Sequence, residues 1–173
     1  MSVKKLTRVA LLGATLYVLQ VGFAFLPNIE LVSLLIILYT LVFGKETLLI
    51  ITVFNIFEGL QWGFGTWWVS YLYAWPLLCI AVLGIKKIAK EEFIIYGVLS
   101  GIFGLTFGAL FAALYLFIDP AYAISYWITG FPWDVVHGVF NFILMIILGK
   151  PLYKVLTYLN IKIFPEEIST PHK

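Results

Sequence analysis

Cysteine and histidine are nearly absent from this chain of 173 residues: Cys79 stands alone, and His137 has only His172 for company. One thiol closes no internal disulfide and builds no thiolate metal site. No HExxH pair is present to hold zinc, no GxSxG to carry a nucleophilic serine, and no Gly-rich loop ending in Lys to cradle phosphates. No metal and no cofactor are therefore expected. Charged residues are also scarce, at 12% of the chain against roughly 25% in soluble domains. The few basic residues are thinly spread and form no basic face, so nucleic acid is not an expected partner.

What the chain has is apolar surface. Hydrophobic residues make up 62% of it, with a mean hydropathy of +1.03. The lipid bilayer is the solvent such a composition implies, and the longest polar piece is the tail 165–173. Residues 1–173 read as one all-α integral membrane domain. A span needs about 20 mostly apolar residues, which places six crossings at Val9–Leu26, Ile29–Gly44, Glu46 to Gly63, Trp67–Ile85, Glu91–Ile118 and Pro132–Leu148. The second is barely long enough. The first follows Lys4, Lys5 and Arg8 as a signal peptide would, but its apolar run is long and no small-residue cleavage site stands out, so it is read as uncleaved. Asp119–Phe131 reads as an outer loop, rich in aromatics and able to lie along the interface as a short helix.

Orientation follows from the eleven Lys and Arg residues. They fall at the N-terminus, around Lys45, at Lys86–Lys90 and after Lys150, always on the same side of the six spans. Positive charge in short loops stays cytoplasmic, so both termini are expected inside.

Two sets of polar residues interrupt the apolar spans. Asn55, Glu58 and Trp62 recur at i, i+3 and i+7, and so do Asp134, His137 and Asn141. Each set shares one helical face. Glu58 lies as far beyond Lys45 as His137 lies before Lys150, which puts both roughly 20 Å above the basic end. The two faces are expected to meet across the bundle in the outer half of the membrane. Intramembrane polar groups usually face a cavity or a partner. Glu58 either faces a ligand or pairs with His137 to staple two helices. Asp134 either contacts a ligand or marks a helix start after Pro132, Asn141 either binds ligand or satisfies a free backbone carbonyl, and Asn55 either binds ligand or hydrogen-bonds between helices. Glu30 and Asp119 read as solvated loop-end residues.

All six Trp lie on this outer side, with Trp62, Trp67 and Tyr71 flanking one hairpin and Trp127 and Trp133 the next. Some belong to an interfacial belt; the others would wall a small-molecule pocket, where nearby carboxylates favour a cationic or amine-bearing ligand. The alternative is an integral-membrane enzyme using Glu58, Asp134 and His137 as acid–base groups. The stripe Gly97, Gly101, Gly104, Gly108 and Ala112 reads as internal helix packing. Ala10 and Ala14, one turn apart, read as either internal packing or a smooth docking patch.

Taken together, these residues resemble the substrate-binding S components of bacterial energy-coupling factor (ECF) vitamin transporters. The resemblance covers nearly the whole length: a short chain, six spans and both ends inside. Ala10 and Ala14 match that family's AxxxA docking motif, and the last span resembles the family's with Pro132, Trp133, Asp134, His137, Asn141 and the ending Gly149, Lys150, Pro151. The resemblance implies a high-affinity binding subunit in the bacterial cell membrane for a small water-soluble vitamin or related heterocycle. It also implies a transmembrane coupling protein with two cytoplasmic ATPase subunits as partners, docking through Ala10 and Ala14, while the chain itself hydrolyses nothing. Family members bind cargo near the outer face under the loops joining the hairpins, and are thought to topple to release it. Glu58, Trp133, His137 and Asn141 are broadly similar to the set used by thiamine-binding members; cobalamin, queuosine precursors and other heterocycles stay open.

Overall fold

The computed structural model describes residues 2–163; His172 and the polar tail, with the expected cytoplasmic C-terminus, lie outside the described residues. Every regular element in this range is helical. Helix α1 spans Val3–Phe23, α2 Val32–Phe43, α3 Thr47–Trp62, α4 Thr66–Ala89, α5 Phe93–Tyr115 and α6 Pro120–Ile163, with one 3-10 turn, Gly44–Glu46, joining α2 to α3.

Five stretches are long and apolar enough to cross a membrane, and the second of them is Val32–Trp62, 31 residues that take in both α2 and α3. The expected second span is thus shorter than the sequence reading gave it. At 12 residues α2 is about 18 Å long, well under the roughly 30 Å of a hydrocarbon core. Its residues are nevertheless the most buried run in the molecule, Val32–Thr40 all lying in the core. The neighbouring helices enclose this part of α2. The chain reverses at Gly44, whose φ of 61° lies in the left-handed region that a side chain would strain.

A second correction concerns the last hairpin. Asp119–Phe131 is neither a loop nor a separate interfacial helix. It forms the opening turns of α6, a 44-residue helix that carries Pro132 in its interior. The helix starts where Asp119 Oδ1 accepts the N–H groups of Ala121 and Tyr122, at 3.0 and 3.1 Å. An Asp cap followed by Pro120 at the first helical position is a strong start signal. Asp119 is therefore a capping residue, and Asp134 sits mid-helix rather than at a helix start.

The glycine stripe packs inside the protein. Gly97 faces Phe142 and Ile146, Gly101 faces the Gly138 carbonyl, and a Cβ on Gly104 would stand 2.7 Å from Gly138 Cα and N. Without side chains between them, the backbones of α5 and α6 touch. This closeness lets Gly108 N–H donate to Asp134 Oδ1 at 3.0 Å.

The basic clusters gather at one end. Glu46 accepts from Arg8 at 2.7 Å and pairs with Lys5 at 3.0 Å, Arg8 also donates to Asn160 at 3.4 Å, and the Phe93 and Tyr153 rings meet tilted at 5.7 Å. The first turns of α1, the α2–α3 turn, the start of α5 and the last part of α6 thus share that end. The aromatic-rich turns occupy the other.

Candidate functional site

Three adjoining hollows open at the aromatic end. The first, of about 270 Å³, lies beneath residues 24–30 and is lined by Gln20, Glu30, Tyr71, Trp75, Phe107 and His137. The second, about 200 Å³, holds Glu58, Trp62 and Trp67 and shares Gln20, Ala24 and Tyr71 with the first. The third, about 340 Å³, holds Tyr126, Trp133 and Asp134 and shares Asn28 and Phe107 with the first. A run of ring contacts walls all three. Trp67 meets Tyr71 at 5.4 Å, Tyr71 meets Trp75 at 5.3 Å, Trp75 meets Phe107 at 5.3 Å, and Phe107 meets Phe111 at 4.7 Å.

Each hollow has a buried polar side chain with spare hydrogen-bonding capacity. Among the described residues, Glu58 Oε1, His137 Nδ1, Asp134 Oδ2 and Trp75 Nε1 have no hydrogen-bond partner. A buried polar atom without a partner costs about 1–3 kcal/mol. Four such atoms around three joined hollows make a set that a ligand or water would satisfy. No Lys or Arg lines any of the three, while Glu30, Glu58 and Asp134 do. Apart from the tyrosines, the ionisable walls of these hollows are thus carboxyl groups and the His137 imidazole.

Glu30 is the residue that sequence reasoning misjudged most. It is buried, not solvated, and its two oxygens do two jobs. Oε2 accepts the Ser33 N–H at 2.8 Å, satisfying an open donor in the first turn of α2. Oε1 lies 3.1 Å from His137 Nε2. The partner of His137 is thus Glu30, not Glu58. The contact fixes the imidazole, which also meets the Phe107 ring edge-on at 5.0 Å, and turns Nδ1 into the available atom.

The two polar faces are not apposed as expected. Helix α3 has no extensive contact with α6; α2 touches both, and Tyr71 alone of the predicted residues borders both the Glu58 and the His137 hollows. Asn55 lines none of them. Its Nδ2 donates to the Tyr71 carbonyl at 3.2 Å, and its own carbonyl accepts from Trp68 Nε1 at 2.7 Å, so it fastens α3 to α4. Asn141 is buried one turn below His137 and leaves Nδ2 without a partner among the described residues. Trp62, Trp127 and Trp133 are 56%, 43% and 54% exposed, and Trp127 borders no hollow, so it fits the interfacial belt. Trp75 and Phe107, which form the centre of the aromatic wall, had no distinguishing sequence signal beyond apolar helix positions.

At the far end of the site's scaffold, Gly13 is pressed onto Val53 and Ile50 of α3. Ala10, by contrast, is exposed and Ala14 half-buried. The helix is thus anchored through the glycine and turns the alanine pair away from α3.

These features define an all-helical chain with helices fit to cross a membrane and a recessed, aromatic, acidic site at one end. No family model matches the chain, and neither a curated protein nor a solved structure is similar to it.

Proposed function

We propose that the protein is a membrane-embedded binding subunit, of the S-component kind, for a small water-soluble vitamin or related nitrogen heterocycle. The observation that carries this reading is the set of unpartnered buried atoms, Glu58 Oε1, His137 Nδ1 and Asp134 Oδ2, spread along one aromatic wall. Flat rings stack on such walls, and the carboxylates favour an amine or a cationic ring. In this reading the chain crosses the membrane six times, with α2 enclosed by its neighbours, and the basic end is cytoplasmic. The aromatic end then faces outward, where cargo is captured. Inward release requires a coupling protein and two ATPase subunits, which dock on the Ala10–Ala14 face.

An acid–base enzyme is the weaker reading on geometry. Glu58, His137 and Asp134 open into different hollows, and a shared reacting centre needs groups within about 3 Å of one substrate position.

Glu58→Gln tests the site. The substitution keeps size and removes charge, so the fold should survive. Loss of one charged hydrogen bond costs about 1.5–3 kcal/mol, roughly 10- to 150-fold in affinity. Titration of wild type and variant with the vitamin that most raises the melting temperature measures the difference. Unchanged affinity with a lowered melting temperature would make Glu58 a structural group only.

A further inference from the structure

The basic end holds a separate hollow, unrelated to the three aromatic ones. It measures about 590 Å³ and is lined by Lys5, Lys45, Lys86 and Lys87, with Glu46, Phe43 and Leu83 among the remaining walls. Glu46 is its only acid, and both carboxylate oxygens are engaged: Oε1 by Arg8 at 2.7 Å and Oε2 by Lys5 at 3.0 Å. Lys45, Lys86 and Lys87 are left without an ion pair among the described residues. They come from two separate elements, the α2–α3 turn and the last turn of α4. Lys86 leans over the turn, its Nζ 3.8 Å from where a Cβ on Gly44 would stand.

Three ammonium groups facing one concavity repel each other unless an anion lies between them. The end of α4 holds Lys86 and Lys87 in place, since a helix C-terminus favours cations, but it does not neutralise the cluster. Phe43 and Leu83 add an apolar wall beside the charges. A phosphate with a hydrocarbon attached matches both features at once, and basic pockets between helices at this membrane level suit anionic headgroups. We infer that this hollow is a binding site for a phosphate monoanion or dianion, the phosphodiester headgroup of an anionic lipid or a free phosphate. The inference does not depend on what the aromatic hollows bind.

The test uses the purified full chain and two anion sources. Native mass spectrometry would count retained phosphatidylglycerol against phosphatidylcholine, and thermal shift would follow inorganic phosphate. Each lysine near an anionic surface contributes about fivefold in affinity. The variant Lys45→Gln, Lys86→Gln, Lys87→Gln should therefore retain phosphatidylglycerol about 100-fold more weakly. The corresponding triple Arg variant should hold it. None of the three lysines is buried, so the substitutions leave the core untouched. Single Lys87→Gln, with a partial loss, serves if the triple variant fails to fold. Preference for phosphatidylglycerol that phosphate cannot displace identifies a lipid site. Lysine-dependent stabilisation by inorganic phosphate, with displacement of the lipid, identifies a soluble phosphate site. Equal retention of both lipids with no effect of phosphate, or retention unchanged by the Gln substitutions, overturns the inference.

Discussion

Gly104→Leu is expected to leave little folded protein. A Cβ at this position would stand 2.7 Å from Gly138 Cα and N and 2.8 Å from the His137 carbonyl carbon. These are backbone atoms, so no side chain can swing aside. Helices α5 and α6 would have to part, and the bond from Gly108 to Asp134 would go with them. Overpacking a tight core costs about 1–3 kcal/mol for small insertions; a four-carbon side chain against backbone should exceed about 3 kcal/mol. Gly84→Ala is the matched control, because nothing lies within 4 Å of its added Cβ. Alanine there should be neutral or stabilising by up to about 1 kcal/mol. Melting temperatures of the two variants in the same detergent measure the contrast. Equal melting temperatures would mean that α5 and α6 are not in backbone contact.

The second large effect concerns transport rather than folding. Ala10→Trp or Ala14→Trp should abolish uptake while purified protein binds its ligand with near-normal affinity. Ala10 is exposed and Ala14 half-buried, while Gly13 between them takes the contact with α3. An indole on the open face would therefore hold a partner helix away without pushing α1 off its own bundle. The aromatic hollows lie at the opposite end, so binding should be spared. Uptake and binding must be measured on the same variants. Uptake intact in both removes the docking role. Loss of both together means that the alanines contribute to the fold after all.

The parts of this fold legible in the sequence are those governed by local pattern. The stripe from Gly97 to Ala112 announced close helix packing because its spacing admits one face only. The charge clusters announced a basic end because so few other charges compete with them. The start of α6 was also written in the chain, as Asp119 and Pro120. Pro132 competes with it as a boundary signal, yet a long helix held against α5 tolerates an internal proline. Glu30 was not legible. Its position near a proline and a loop resembled any solvated carboxylate, and only the folding of residues 24–30 over the bundle buries it against His137. The face-sharing of Asn55 and Glu58 was real, but periodicity says nothing about which helix stands opposite. Asn55 is the interhelical tie its depth allows, made to α4, while Glu58 opens beside Tyr71 rather than toward α6.

The central claim is that a small heterocycle fills the aromatic hollows unchanged. Native mass spectrometry of the purified chain, extracted gently from cells grown in rich medium, tests this most directly. The account predicts one bound, chemically intact vitamin-like molecule per chain, retained by Ala14→Trp and lost from Glu58→Gln. A chain that carries no such molecule and takes up none from a vitamin panel, or one that returns a chemically altered compound, would contradict it.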